Sequence, residues 1–358
     1  KDLSEGKTPD IYFGNFYDYN YLGRNGYVVD LVPLFESDSE ISIEDLQPSV
    51  RDMIGNSDGT CYQLMSGYYV NGMVGLEDYF PSSEVSIYDL NDLPQDINLY
   101  LGESSSNLLD DALIYSIEEI VEQNYKNTGT YDITEEQLID LIEYAVNYGC
   151  SPDAYLSSGS SFYTDVLDST VLLSKDAYMI SQLQMFRADS LCAGKKLTFV
   201  GYPSLYGSIH LANPEALMAI SSSTEHLDAC WMFVKCLLSE EMQVEEISSS
   251  NQRYPVVTKV MENYKYWIDN SNLLSADNLY KRAVKNLTPW NDGVVTDKDW
   301  EVYSEYAQVA DTLIVRDFGL QAIVDQDLAD YYSANKSIED IAKSMCIRIN
   351  LYYHENYE

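Results

Sequence analysis

Hydrophobic positions recur along this chain at two spacings, and the change from one to the other marks out its elements. Between residues 133 and 149, Leu138, Leu141, Ile142 and Ala145 fall on one helical face. Thr134 and Gln137 stand where a capping box needs them. Ile133 and Leu138 hold the staple positions, and Gly149 offers a left-handed stop. A second helix is predicted over 223–238, with Leu227, Cys230, Trp231, Val234, Leu237 and Leu238 on a broad apolar face. The last helix starts at Ser337, takes Asp340 as capping partner and buries Ile341, Ala342, Met345 and Ile349. Elsewhere the apolar runs are short and broken by Gly or Pro: 11–13, 27–35, 61–75, 197–203 and 217–221. These read as β-like segments. Gly67 and Gly72 divide the 61–75 run into extended pieces, as in a hairpin or a crossing between domains. The mixture suits layered α/β architecture rather than a bundle. With no internal repeat and no low-complexity linker, two lobes joined by several crossing strands fit better than beads on a string.

A chain of 358 residues is long enough for two domains. No run approaches the roughly 18 to 20 apolar residues of a membrane helix, so a soluble chain is expected. With 58 acidic against 21 basic residues the formal net charge is −37. No Lys/Arg cluster offsets it, which argues against DNA, RNA and anionic lipid as partners. The six cysteines show neither CxxC nor zinc spacing and are expected to be small buried hydrophobes.

The search for catalytic chemistry is negative. Phosphate-binding glycine loops, HExxH and GxSxG are missing. His210, His226 and His354 are far apart in sequence, the last two expected at the surface. Carboxylate pairs are inevitable among so many acids. Neither a cofactor nor a metal site is expected, and a binder is favoured over an enzyme.

Tyrosine is the over-represented residue, with 32 copies against nine Phe and four Trp. It joins a flat apolar face to a hydroxyl at low entropy cost, which suits polar ligands with apolar faces, sugars among them. The stretch TPDIYFGNFYDYNYLGRNGYVVDL at 8–31 concentrates Tyr12, Phe16, Tyr17, Tyr19, Tyr21 and Tyr27 among Asn, Asp and Gly. Its 16–21 cluster follows a strand end, where ligands bind in open α/β sheets.

The same stretch resembles the "PDI", ligand loop, "G-x-x-x-DL-x-P" segment of family 1 extracellular solute-binding proteins. Residues 59–72 are similar to that family's "dGk-x-Y-x-lP" strand and first crossing, and 198–243 to its "G-x-P … aIs" signature with the following helix. RYPVV at 253–257 sits at the family's "g-x-P-v" turn, and 331–355 looks like its closing helix. The likeness runs over nearly the whole chain and is nearest to the Tyr-rich Gram-positive forms.

The resemblance implies a two-lobed, periplasmic-binding-protein-like α/β fold of type II. One lobe would take 1–70 and about 212–262, and the other 71–211 and about 263–358. It implies capture of a sugar in a cleft and delivery to ABC permease subunits, by a monomer tethered outside the cell through a lipoprotein anchor upstream of Lys1. The family's first strands would also precede Lys1, which reads as a truncated N-terminal lobe. Carried over by position, the ligand loop is Asn15, Phe16, Tyr17 and Asp18, with Tyr68 and Tyr69 facing the cleft. From the other lobe come Tyr178 and the loop from Tyr206 to Asn213, which includes His210. Trp290 and Trp300 could stack on a ligand, with core or lid roles equally open. Gly14 and Ala322 stand where maltodextrin binders have stacking tryptophans, which argues against maltodextrin. A glycan sensor without transport, a peptide or polyamine binder, and an enzyme are the rival readings.

Overall fold

The computed structural model describes residues 8–15, 17–93, 105–148, 173–174, 197–248, 253–270, 273–275, 278–281, 297–315, 317–333 and 336–357. The chain divides into two compact units and passes between them repeatedly. The first unit's opening segment ends at Asn71 and the second begins at Gly72. The chain re-enters the first unit at Leu211 and the second at Asp317.

In the first unit, β1 (Ile11–Phe13) lies antiparallel to β8 (Met218–Ile220), with Ile11 opposite Ile220 and Phe13 opposite Met218. A four-stranded sheet runs in the order β10 (Thr312–Leu313), β7 (Leu211–Glu215), β2 (Gly67–Asn71), β9 (Tyr254–Pro255). Around these sheets the unit carries α1 (Tyr19–Arg24), α2 (Val32–Ser37), α3 (Pro48–Ile54), α6 (Leu227–Leu237), α7 (Glu240–Ser248), α8 (Thr258–Asp269) and α9 (Asp297–Val309).

Strand alternation decides what this sheet buries. Tyr68 and Val70 of β2 point into the core and are fully buried, while Tyr69 between them is half-buried on the opposite face. The core on the Tyr68 side is aromatic. Tyr68 stacks on Tyr254 at 5.5 Å, and Tyr254 on Tyr303 at 4.8 Å. Tyr264 meets Tyr303 edge-on at 6.2 Å, and Trp300 packs beside both. The Tyr68 hydroxyl and Ser49 Oγ both donate to the Ala307 carbonyl, each at 2.8 Å, which ties β2 and α3 to the end of α9.

Gln243 on α7, buried completely, uses both ends of its amide. Its Nε2 donates to the Ser66 and Leu237 carbonyls at 2.6 and 2.8 Å, and its Oε1 accepts from Val256 N at 2.7 Å. The RYPVV turn is fixed a second time by Arg253, whose guanidinium lies 2.7 Å from Glu215 and 3.1 Å from Glu246.

The second unit holds a four-stranded sheet in the order β4 (Leu173–Ser174), β3 (Met73–Leu76), β5 (Leu197–Pro203), β6 (Ser208–Ile209). Its helices are α4 (Ser105–Thr128), α5 (Glu135–Tyr148), α10 (Phe318–Tyr332) and α11 (Ile338–Tyr357). α4 packs on α5, and α11 packs on α5 and α10. Both predicted capping boxes form: Thr134 N donates to Gln137 Oε1 at 2.9 Å, and Asp340 N to Ser337 Oγ at 3.2 Å. Leu138, Leu141, Ile142 and Ala145 of α5 meet Ile341, Ala342, Met345 and Ile349 of α11 in one apolar layer, all fully buried. Gly72 has to be glycine. A Cβ there would stand 2.7 Å from the Gly201 Cα and 2.6 Å from the Phe199 ring.

Four expectations change. The boundary placed near 262 moves to Asp317, because β10 pairs in parallel with β7, and Tyr264, Trp300 and Tyr303 join the first unit's aromatic core. The 27–35 run keeps only a bridge at Val28 and then turns helical, with Pro33 in the first turn of α2 supplying the backbone angle. The helix predicted from 223 starts at Leu227, since Thr224 is held by Asp10 in the loop before it. Of the cysteines, Cys61 and Cys230 are buried, whereas Cys236 is exposed and Cys346 partly so; Cys150 and Cys192 lie outside the described residues. Among the described residues no helix is long and apolar enough to cross a membrane.

Candidate functional site

β1 ends in a turn that the sequence holds in several ways. Gly14 N donates to the Leu217 carbonyl at 2.8 Å, in a conformation with φ of 113°. A side chain there would be strained, so glycine suits this turn. Four residues on, the Asp18 carboxylate accepts from Tyr21 N at 2.8 Å and caps α1. Tyr19 is fully buried, and its hydroxyl reaches back to the Gly14 carbonyl at 2.9 Å.

These contacts sort the tyrosines of the opening stretch. Tyr12 and Tyr19 are core; Tyr17, Tyr21 and Tyr27 are exposed. The Tyr17 ring is 47% exposed and is propped edge-on against Tyr12 at 6.1 Å and tilted against Tyr19 at 6.0 Å. Burial, with the Tyr17 and Tyr12 hydroxyls nearby, pushes the Tyr19 phenol well above its ordinary value, so it stays a neutral donor. Asn15 sits half-buried in the turn. One flat exposed ring, one amide and one carboxylate therefore follow the carboxyl end of β1 on a braced loop.

A second polar surface lies on the sheet of the same unit. The Asn213 amide donates to the Tyr69 hydroxyl at 2.5 Å, across the register that pairs these two residues. Asn71, two residues beyond Tyr69, is on the same face of β2. It is 8% exposed, and its Oδ1 finds no hydrogen-bond partner among the described residues. A buried amide oxygen without a donor is an unmet acceptor. Sequence reasoning missed Asn71; its two-residue offset from Tyr69 was the available signal.

The other expected residues separate. Tyr68 is corrected to a core residue, since alternation along β2 turns it away from Tyr69 and into the stack with Tyr254. His210 is likewise corrected to packing. It is 1% exposed, with its ring 5.5 Å from that of Phe199. Tyr206 belongs to the second unit, half-exposed, and its hydroxyl bonds to Gln137 and Asn124. Trp300 is half-buried, with its ring 4.8 Å from that of Tyr303. His226 is exposed at the start of α6, and His354 lies 3.0 Å from Asp132. Phe16, Tyr178 and Trp290 lie outside the described residues. Among the described residues no group of His, Cys, Asp and Glu has the arrangement of a metal site.

No family model matches the sequence, and no curated protein matches it. Solved structures do match over the full chain. An ABC transporter solute-binding protein from Thermotoga lettingae, bound with α-D-tagatose, superposes with a TM-score of 0.52 at 13% identity, over 98% of this chain and 86% of that one. The MsmE binding protein from Bacillus subtilis, in an open conformation, gives 0.55 at 10% identity, over 100% and 86%. An ABC substrate-binding protein from Listeria monocytogenes in complex with cycloalternan gives 0.51 at 13% identity, over 99% and 87%. The chain has the α/β fold of extracellular solute-binding proteins, and these neighbours are binding proteins.

Proposed function

We propose that this protein captures a carbohydrate outside the cell and delivers it to the permease subunits of an ABC importer, without catalysis. The observation that carries the reading is the Tyr17 ring, held exposed beside Asn15 and Asp18 after β1, in a fold shared with sugar-binding proteins. The ring would stack on a sugar's CH face, while Asn15 and Asp18 would meet its hydroxyls. Asn71, Tyr69 and Asn213 would supply a further acceptor and a donor–acceptor pair. An anchor upstream of Lys1 would keep the protein at the surface, where a monomer suffices.

A thermal-shift screen of the chain against mono- and oligosaccharides tests this, with amino acids and polyamines as controls. A ligand at 100-fold its Kd adds about 2.7 kcal/mol, a shift of several degrees. A selective sugar shift supports the reading, and a shift only with polyamines replaces it with a cation binder. A sharp melt that no sugar moves overturns it.

A further inference from the structure

On the second unit, two half-exposed tyrosines are pinned by their hydroxyls to one helix, α5. β5 turns into β6 through Ser204–Gly207, closed by a 2.7 Å bond from Ser204 N to the Gly207 carbonyl. Residues 86–88 run alongside, with Ser86 bridged to Ser204 and Ile87 N donating to the Ser204 carbonyl at 2.9 Å. This places Tyr88 near Tyr206, and their hydroxyls meet Asp140 and Gln137, one turn apart on α5. The rings are 48% and 50% exposed.

What distinguishes them from scattered surface aromatics is their mounting. The Tyr88 hydroxyl donates to Asp140 at 2.5 Å. The Tyr206 hydroxyl accepts from Gln137 Nε2 at 2.7 Å and donates to Asn124 Oδ1 at 3.1 Å. Gln137 is fixed by its capping box with Thr134, and Asn124 by a 2.7 Å bond to the Asp132 carbonyl. Both rings are thus anchored at the hydroxyl end while half their surface stays in water. Free tyrosines on an edge would keep their rotamer freedom; these have lost it before any ligand arrives, which lowers the cost of binding. Asp140, Gln137 and Asn124 sit at the ring edges, where a stacked sugar presents hydroxyls.

We propose that Tyr88 and Tyr206 form a surface platform for a glycan chain on the second unit. It goes beyond the import reading, because it asks neither for transport nor for binding at the Tyr17 loop. Its ligand is an oligosaccharide long enough to cover two rings, gripped by stacking.

The test is calorimetric titration of the full chain with cello-, xylo-, manno- and chitohexaose. Wild type is compared with Tyr88→Ala, Tyr206→Ala, Tyr206→Phe and Tyr17→Ala. With at least one hexaose, each alanine change at 88 or 206 is expected to weaken binding about tenfold. Tyr206→Phe keeps the ring but loses its anchor to Gln137 and Asn124, so it should weaken binding by less than Tyr206→Ala. Tyr17→Ala should leave this binding in place. Should an alanine variant fail to fold, Tyr88→Leu and Tyr206→Leu keep apolar bulk without a flat face and should show the same loss. Equal binding by wild type and the 88 and 206 variants overturns the platform, as does no binding of any hexaose. Loss confined to Tyr17→Ala overturns it while sparing the loop reading.

Discussion

The Tyr19 hydroxyl donates to the Gly14 carbonyl at 2.9 Å, closing from below the loop that carries Tyr17 and Asp18. Tyr19→Phe keeps the ring in the core and removes only this bond. It should cost about 1 kcal/mol in a urea titration. Because the loop then loses its brace, sugar affinity measured by calorimetry should fall as well, with the melt still cooperative.

Tyr17→Ala and Asp18→Asn separate ligand contact from folding. Tyr17 is half in water, so its loss should move stability by less than about 0.5 kcal/mol. Asparagine caps a helix as well as aspartate does, so α1 should survive Asp18→Asn. Both variants should lose comparable affinity for a stacked sugar. A far larger loss in Asp18→Asn would identify a cationic ligand instead.

Alkaline pH should unfold the first unit through its tyrosines. Tyr68, Tyr254, Tyr264 and Tyr303 are fully buried, and burial raises each phenol above its ordinary value. Below about pH 10 they are neutral in both folded and unfolded chains, and their contribution is complete. Above it the unfolded chain ionises and the folded one does not, so stability falls as pH rises toward the folded values. Each phenol should take about 1.4 kcal/mol per pH unit. Urea midpoints at pH 9, 10 and 11, followed with phenolate absorbance, would check this; a flat profile would contradict the burial.

Gln243→Leu should be among the most damaging single changes. It fits the space but orphans the Ser66 and Leu237 carbonyls and the Val256 N–H. A loss of about 3 kcal/mol is expected, read from the urea midpoint.

Much of this was legible in the sequence because it was local. Thr134 with Gln137, Ser337 with Asp340, and the alternating apolar runs act within a few residues of themselves. Tyr68 and Tyr69 show where local reading stops. They are adjacent tyrosines just after Gly67, and only the pairing of β2 with β7 and β9 says which one enters the core. The assignment of 263–316 failed for the same reason, since it depends on β10 lying parallel to a strand some hundred residues away. Gln243 gave no sign either, because its partners at Ser66 and Val256 come from separate parts of the chain.

The sheet order β10-β7-β2-β9 has a consequence for how the protein is made. Its strands begin at residues 67, 211, 254 and 312, so the first unit cannot complete its sheet until most of the chain has left the ribosome. The second unit waits longer still, because part of the apolar cover of α5 is α11, the last helix of the chain. Neither unit is a contiguous stretch that could be cut out and expressed alone. Synthesis should leave both half-built until its last moments, exposing Tyr68 and the α5 face to whatever chaperone meets them first.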